Sequence, residues 1–417
     1  MTSDPHDYEG IIRTAIAGAA SAHVFFEERA DVRMTLASSG LRDIVETRTR
    51  GAAISGRRSV HVTDPEFMDP CRIAPKLSLH WVPSLEATII EGAARASAGR
   101  RHPRWSAKVV SFHQEVWVGL PESDAVHDVR RGCRVELRVQ VGGERTAQAV
   151  EELVLISNGA PSFMEAFVRT FDRAEQRVSL FPAPEPGSTS AVFAPGVAGV
   201  VAHELIGHAL EGDVVARGPT WIGAATFPAA GTPVTVIDDP RRGRGSWLID
   251  DEGIAAGETT LIDRGRPVGM LLDRSSARAL GTISTGHGRR SSYLEAVRPR
   301  MGCTFIASGV DAPEDILRST RTGVFIRRLA GGHTDPVSGR ASFIVSDADR
   351  ILDGRLAGPV DAFVFELDGI ESWRSIDRVA HDLAFDTCIG SCVRDGQPLA
   401  VSVGAPTIRI GVVRVRS

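Results

Sequence analysis

AGVVAHELIGHAL, the sequence of residues 198–210, carries His203, Glu204 and His208 within two helical turns. Apolar residues lie on every side of its helical wheel, which predicts a helix buried inside a domain. Neutral imidazoles are suitable ligands for Zn²⁺, and a carboxylate beside the first one can take a proton from a water molecule that the ion activates. The stretch indicates half of a hydrolytic metal site, although spacing alone is also typical of structural histidines.

The five-residue spacing of the two histidines excludes a regular helix that aims both at one ion. At about 100° per residue, the side chain of His208 points roughly 140° away from that of His203. In the familiar thermolysin-like pattern, the two histidines are four residues apart and share one helix face. We therefore expect the helix to end, kink or form a π-bulge between them, and Gly207, the weakest helix former there, marks the place.

Composition and charge are typical of an ordinary soluble globular protein. The 417 residues are 42% hydrophobic and 24% charged with a formal net charge of -4, and this length predicts two or three domains. The charges form no basic stripe and aromatic residues are few, which argues against a nucleic-acid partner. No apolar run of 18 residues predicts a membrane span, and five cysteines without an export signal predict a cytoplasmic protein.

The first part of the chain alternates between helical and strand-like patterns. We expect helices over residues 7–30, 84–98 and 161–177, and strands over residues 32–36, 44–49, 107–112, 115–120 and 133–141. Pro161 and Ser162 are start signals for the last of these helices. The pattern predicts an antiparallel sheet with covering helices.

The proline-rich segment FPAPEPGSTS, residues 181–190, interrupts the regular patterns. Its three prolines and one glycine cannot continue a helix or a central strand. We assign residues 1–180 to an N-terminal α+β domain, residues 181–190 to a linker, and residues 191–417 to a β-rich domain that carries the motif helix. The fold class predicted for the whole chain is α+β.

A catalytic Zn²⁺ site with an open position needs a third protein ligand, which commonly comes from a distant part of the chain. Cys392 lies in a segment between Gly390 and Gly396, where little side-chain bulk would block a metal ion. Cys388, four residues earlier, is a rival, and a carboxylate or another histidine also suits the chemistry. On its own, a cysteine here would be interpreted as a small buried hydrophobe.

Five motifs in this order resemble those of the TldD/PmbA family of zinc metallopeptidases, also called the modulator of DNA gyrase family. They are HELIGHALEGD from His203, DDEG from Asp250, STGHGRRSSY from Ser284, GGHTD from Gly331 with Ser338-Gly339, and the segment 392–410. The resemblance covers most of the chain from about residue 191, whereas the N-terminal region matches more loosely and looks shortened.

The resemblance implies a Zn²⁺ ion bound by His203, His208 and Cys392, with Glu204 as the catalytic general base. It favours Cys392 over Cys388 because Gly-Ser-Cys followed by Asp-Gly-Gln matches the family arrangement. A thiolate ligand donates more charge than an imidazole, so we expect slow turnover. The family also implies a dimer, either a homodimer or a heterodimer with a TldE-like paralogue.

Two histidines depart from the family pattern in motifs expected to face the cleft. His333 stands in a Gly-Gly-His sequence where relatives commonly show Gly-Gly-Gly-Gln, and His381 stands where they show an Asn-Asp pair. Either histidine is a candidate to bind substrate, orient a ligand or donate to an oxyanion, and a structural loop histidine explains each equally well. Arg290 and Tyr293 are candidates to bind a substrate carboxylate or phosphate, although a solvated arginine is an equal alternative.

The sequence therefore predicts a zinc-dependent peptidase or amide hydrolase that acts on unfolded peptides or on a small peptide-like substrate. The shortened N-terminal region and the histidine departures fit a specialised enzyme of natural-product biosynthesis, while a general peptide scavenger is also compatible. Two hypotheses from other classes remain open. One is a non-catalytic scaffold or regulatory subunit, and the other is a protein whose structural metal joins two domains.

Overall fold

The computed structural model describes residues 23–55, 60–62, 82–100, 102–119, 125–142, 146–155, 162–223, 234–385 and 390–416. Within these ranges the chain is α+β and rich in sheet, so the predicted fold class is confirmed. No helix in the same ranges is long and apolar enough to cross a membrane.

A six-stranded antiparallel sheet forms the first half of the chain. Its strands are β1 (His23–Ala37), β2 (Arg42–Ser55), β3 (Val60–Val62), β4 (Arg104–Gly119), β5 (Val126–Gly142) and β6 (Thr146–Leu155). They lie in the order β3-β2-β1-β4-β5-β6. Helices α1 (Val82–Ser97) and α2 (Phe163–Gln176) cover one face, where Ile89 and Phe167 share a core with Val109 and Leu137.

The helix predicted over residues 7–30 is wrong at its C-terminal end, because residues 23–30 belong to β1. The earlier part of that prediction lies outside the described residues. β1 pairs with β2 on one side and with β4 on the other, and residues 24–28 are buried throughout. A strand buried on both faces lacks the period-two alternation that distinguishes a strand from a buried helix in the sequence.

The strands predicted over residues 107–112 and 115–120 are one continuous strand, β4, apart from Leu120, which the structure does not describe. His113 and Gln114 keep their pairing with both β1 and β5, so nothing interrupts the ladder. Gln114 is buried and donates a hydrogen bond to the Glu27 carboxylate at 2.8 Å.

Helix α2 starts where the sequence predicts and connects the two halves of the chain at its other end. The Ser162 side chain accepts a hydrogen bond from the backbone N–H of Glu165 at 3.2 Å, a standard N-cap. In its last turn, Arg173 forms ion pairs with Asp347 at 2.6 Å and with Asp349 at 2.9 Å. These pairs fix the helix against the second half.

The segment predicted as a linker, residues 181–190, contains the first residues of a strand, β7 (Gly187–Phe193). Phe181 also makes a backbone hydrogen bond to the carbonyl of Pro359 at 2.8 Å. The segment is therefore attached to the second half. A domain boundary within residues 181–190 remains our proposal.

Short strands, short helices and long loops follow β7. The strands are β8 (Val236–Asp238), β9 (Thr259–Asp263), β10 (Arg266–Pro267), β11 (Gly288–Arg289), β12 (Arg298–Pro299), β13 (Cys303–Ile306), β14 (Thr322–Thr334), β15 (Arg340–Leu352), β16 (Arg355–Pro359), β17 (Phe363–Asp368), β18 (Ile376–Val379), β19 (Ala384–Phe385), β20 (Ser391–Arg394), β21 (Gln397–Ala400), β22 (Ser402–Ala405) and β23 (Ile408–Val415). The helices are α3 (Ala198–Ala202), α4 (Gly212–Val215), α5 (Arg274–Ala279), α6 (Pro313–Ser319) and α7 (Gly369–Arg374).

Two larger sheets organise this half. One has the order β14-β7-β23-β17-β15-β16, and the additional pairing of β14 with β15 closes it into a ring. The other has the order β10-β9-β8-β13-β22-β19. The motif helix, residues 198–210, packs between them, with α3 against β13 and β22 and the following turn against β14 and β15.

Gly199 allows the motif helix to touch β22 directly. A Cβ atom at this position would lie 2.6 Å from the backbone nitrogen of Gly404 and 2.9 Å from Cβ of Val403. Neighbouring helix residues such as Val200 and Ile206 belong to the core of this half. The missing side chain therefore sets the depth at which the helix lies between the sheets.

The acidic turn at residues 250–253 connects the second half to the N-terminal sheet. The Asp250 carboxylate accepts hydrogen bonds from backbone N–H groups, including that of Gly288 at 3.0 Å. Asp251 pairs at 2.5 Å with Arg130 of β5, whose side chain is fully buried. The turn therefore shapes the backbone and neutralises a buried cation at the junction.

We predict that Gly199→Ala destabilises the protein. Overpacking against fixed backbone costs about 1–3 kcal/mol, which exceeds the gain of up to about 1 kcal/mol from the better helix propensity of alanine. Urea denaturation would measure the loss. Gly257→Ala is the matched control, because no atom lies within 4 Å of a Cβ at that position. Equal stability of both variants would contradict the packing described for Gly199.

The acidic turn also predicts a pH dependence of stability. Burial raises the pKa of Glu252 to about 7, although its carboxylate accepts a hydrogen bond from the backbone N–H of Arg274. A carboxyl group whose pKa is higher in the folded state favours the protonated form. Its contribution to the free energy of unfolding therefore falls as pH rises from about 4.5 to about 7.

Glu252→Gln removes this contribution, since an amide does not titrate but can still accept the Arg274 hydrogen bond. We expect the variant to gain stability relative to the wild type between pH 5 and pH 7.5, about the limits of the titration. Urea denaturation at both pH values tests this expectation. A stability difference that is the same at both would show that Glu252 titrates normally.

Candidate metal centre

The motif helix changes its hydrogen-bonding pattern at the place that the histidine spacing predicts. After α3, residues His203–Gly207 form a π-helical turn, and residues His208–Leu210 form a 3-10 turn. The backbone N–H of His208 donates to the carbonyl of His203, five residues earlier. This wider turn brings the two imidazole rings together, with centroids 5.1 Å apart. The predicted irregularity is confirmed.

Gly207 gives room for this turn. A Cβ atom there would lie 1.9 Å from the sulfur of Met301, which packs directly on the turn. Any other residue at position 207 would need the space that Met301 fills. Packing of Met301 on this turn therefore depends on the glycine.

Cys392, on β20, joins the two histidines from a distant part of the chain. Its Sγ atom lies 3.5 Å from Nε2 of His208. One ligating atom from each of His203, His208 and Cys392 lies within 4.8 Å of the others. The rival thiol, Cys388, lies outside the described residues.

His203 has the surroundings expected of a metal ligand. Its side chain is fully buried, and neither ring nitrogen has a hydrogen-bond partner within the described parts of the chain. Buried polar atoms nearly always have a hydrogen-bond partner, so two nitrogens without one on the same ring need an explanation. An ion bound between this ring, His208 and Cys392 would give one of these nitrogens a partner.

Neighbouring charges favour the ionised forms of Cys392 and His208. Burial opposes ionisation of Cys392, but the neighbouring His203 and His208 hold the pKa of the thiol well below its usual value. Burial likewise opposes protonation of His208, but Glu211 and Cys392 raise the pKa of this imidazole well above its usual value. The sulfur is therefore available as a thiolate, the form that binds metals.

A cavity of about 490 Å³ opens beside the ligands. Glu204, His208, His333 and Cys392 contribute to its lining. Burial raises the pKa of Glu204 above its usual value, against the opposing effect of the nearby histidines. The cavity thus combines two of the ligating residues, a carboxyl group and a further histidine in one space.

Three of the predicted substrate-binding residues lie elsewhere. His381 is exposed, and its backbone N–H donates to the carbonyl of Asp311 at 3.2 Å. Arg290 is buried at the junction, with its guanidinium 4.6 Å from the ring centroid of Phe25. Tyr293 is buried against Gly51 of β2. None of the three contributes to the described lining of the cavity, so we leave them out of the proposed substrate site.

Two arginines at the hairpin of β20 and β21 were not predicted from the sequence. Arg300 is almost completely buried and donates hydrogen bonds to the carbonyls of Cys392 and Gln397, at 2.9 and 3.0 Å. Arg394 forms an ion pair with Glu211. The only available signal was the two-residue spacing of Cys392 and Arg394, which places both on one face of a strand.

Known proteins with similar sequences and folds were found. Residues 186–417 match the PmbA/TldA metallopeptidase C-terminal domain. The chain is similar to a metalloprotease TldD homolog of Haemophilus influenzae, 30% identical over 78% of this chain and 70% of that protein. It is also similar to a metalloprotease TldD homolog of Buchnera aphidicola, 29% identical over 73% of this chain and 66% of that protein. The chain thus spans about two thirds of the length of these relatives.

The fold is similar to that of TldE from Thermococcus kodakarensis, with a TM-score of 0.78 at 16% identity. This likeness covers 98% of the present chain and 99% of that one. The domain match includes more than half of the residues, with all three candidate metal ligands among them. The family assignment made from the sequence motifs is confirmed. This chain is a member of the PmbA/TldD metallopeptidase family.

Proposed function

We propose that this protein is a zinc-dependent peptidase or amide hydrolase. The observation that carries the proposal is the convergence of His203, His208 and Cys392 beside a cavity that Glu204 also lines. When bound to these three residues, Zn²⁺ would polarise the substrate carbonyl and make a water molecule more acidic.

The set of donors fits zinc in a catalytic role. Two imidazole nitrogens and one thiolate are ligands that Zn²⁺ prefers, and catalytic sites commonly have three protein ligands whereas structural sites have four. Within the described residues, the group contains three ligating side chains. A position for water or substrate beside them favours catalysis over a structural metal that joins two domains.

Glu204 is the proposed general base. Its position in the cavity and its raised pKa suit a carboxylate that accepts a proton from water and then delivers it to the leaving nitrogen. His333 lines the same cavity and is the proposed donor of a hydrogen bond to the oxygen of the scissile carbonyl as charge develops there.

The edge of β14 supports a peptide as substrate. β7 pairs with β14 only over Val324–Ile326, whereas β15 pairs with the other edge as far as Thr334. Residues 329–334 line the cavity, and no described strand covers their second edge. An extended peptide could add to this edge through backbone hydrogen bonds, with little dependence on its sequence. Gly331 leaves room for such an approach, because no atom lies within 4 Å of a Cβ at that position.

We propose two kinds of substrate. Unfolded peptides suit recognition through the backbone, and a more specialised enzyme would act on a small peptide-like intermediate of natural-product biosynthesis. We propose a cytoplasmic protein that assembles as a homodimer or with a TldE-like paralogue. The competing hypothesis is a non-catalytic scaffold or regulatory subunit, which would retain its role without Glu204.

Glu204→Gln should abolish peptide cleavage while zinc binding is retained. Loss of a general base lowers the rate by about 10²–10⁴-fold. The measurement is mass spectrometry of a mixed peptide library after incubation with zinc-loaded protein. Glu295→Gln, at an exposed position, is the matched control and should cleave like the wild type. Undiminished cleavage by the Glu204 variant would overturn the proposed role of this residue.

Cys392→Ser should lose stoichiometric zinc, since serine is a poor ligand compared with a thiolate. Elemental analysis of the purified variant measures the metal content. Cys133→Ser is the control, because Cys133 lies on β5, outside the ligand group. One zinc per chain in the Cys392 variant would instead point to Cys388 or to a carboxylate as the third ligand.

A further inference from the structure

We propose that Arg394 is a positioning residue that fixes the His208 imidazole and the Cys392 thiol in one ligand arrangement. The inference rests on the proposed zinc site and adds to it a residue that does not touch the metal. It follows from two sets of contacts, one on each side of His208, and both include a residue of β20.

The alternation of β20 places Cys392 and Arg394 on one face. Val393, between them, points the other way and is 66% exposed, whereas Cys392 is 6% exposed. The thiol lies 3.5 Å from Nε2 of His208, and the guanidinium two residues later contacts Glu211, the carboxylate beside Nδ1 of the same imidazole. One short strand therefore contacts His208 directly on one side and through Glu211 on the other.

Glu211 transmits the contact from Arg394 to His208. Its Oε2 atom lies 3.1 Å from Nδ1 of His208 and 2.7 Å from a terminal nitrogen of Arg394. A carboxylate accepts, so Nδ1 donates to Glu211, and Nε2, on the side of Cys392, is the nitrogen that would bind a metal ion once it has lost its proton. Glu211 is fully buried. The backbone beside it is held by a hydrogen bond from the N–H of Gly212 to the carbonyl of Leu271.

The planar fork of Arg394 contacts two carboxylates at once. Its second terminal nitrogen donates to Oδ2 of Asp213 at 2.6 Å. Because Asp213 holds the guanidinium in place, Arg394 fixes the direction in which Glu211 accepts. A lysine offers a single point charge and cannot reproduce this bridge. Without the cation, the buried Glu211 carboxylate would lose its main compensation and would change its position relative to His208.

The backbone of the hairpin does not depend on Arg394. Arg300 donates to carbonyls of both strands, those of Cys392 and Gln397. Removal of the Arg394 side chain should therefore leave β20 and β21 in place. It should change the arrangement of His208, Glu211 and Cys392, which is the difference between a positioning role and a general structural role.

The experiment compares Arg394→Gln, Arg394→Lys and the matched control Arg298→Gln in the full chain. Arg298 lies 3.7 Å from the same Asp213, and none of its described contacts involves Glu211. Zinc affinity is measured by competition with a chromophoric chelator. The cobalt-substituted proteins are then compared by the thiolate-to-cobalt charge-transfer band, which reports Cys392 as a ligand without any assay of activity.

We expect Arg394→Gln to lower zinc affinity about 10-fold, the lower end of the usual effect of losing the direct partner of a metal-binding histidine, because the variant keeps Glu211 but loses the group that holds it. Its charge-transfer band per bound cobalt should weaken. Arg394→Lys should recover only part of both properties, and Arg298→Gln should match the wild type. Far-ultraviolet circular dichroism of the metal-free variants should be unchanged.

Wild-type zinc affinity and an unchanged charge-transfer band in Arg394→Gln would overturn this inference and leave the proposed function intact. Failure of the wild-type protein to bind zinc would overturn both. If Arg394→Gln does not fold, Arg394→Lys decides the question. Wild-type affinity in the lysine variant would then contradict the bridging role of the guanidinium.

Discussion

The proposed metal centre depends on one backbone hydrogen bond, from the N–H of His208 to the carbonyl of His203. A regular helix would separate the two imidazoles by more than a third of a turn, and no third ligand could compensate for that. The five-residue bond changes the local geometry so that both rings face the same space. Gly207 lets Met301 pack directly on this turn, because the methionine occupies the position of the missing side chain.

The rest of the second half brings the remaining groups to this turn. The two sheets enclose the motif helix, and the close approach of Gly199 to β22 fixes its depth. β14 then contributes the edge of the cavity, and the hairpin of β20 and β21 contributes the thiol. Two candidate ligands that are 184 positions apart in the chain, His208 and Cys392, therefore meet at this turn.

Local sequence patterns predicted much of this arrangement and failed where tertiary contacts decide. The spacing of the two histidines predicted a helix irregularity, and Ser162 predicted the start of α2, because both are properties of a few consecutive residues. Residues 23–30 were misassigned because burial on both faces of β1 removes the strand periodicity. Arg290 and Tyr293 were considered as substrate-binding residues because no local pattern shows that the N-terminal sheet buries both side chains.

The sequence motifs named the candidate metal ligands, but only the fold reveals what surrounds them. Glu211 contacts His208 and Arg394 contacts Glu211, and no spacing pattern contains these contacts. X-ray absorption at the zinc edge tests the central claim most directly, since it counts the ligand types in the loaded protein. The account predicts one sulfur at about 2.3 Å and two imidazole nitrogens at about 2.0–2.1 Å, completed by one non-protein light atom. A shell without sulfur, or one with a second sulfur or a third imidazole, would contradict it.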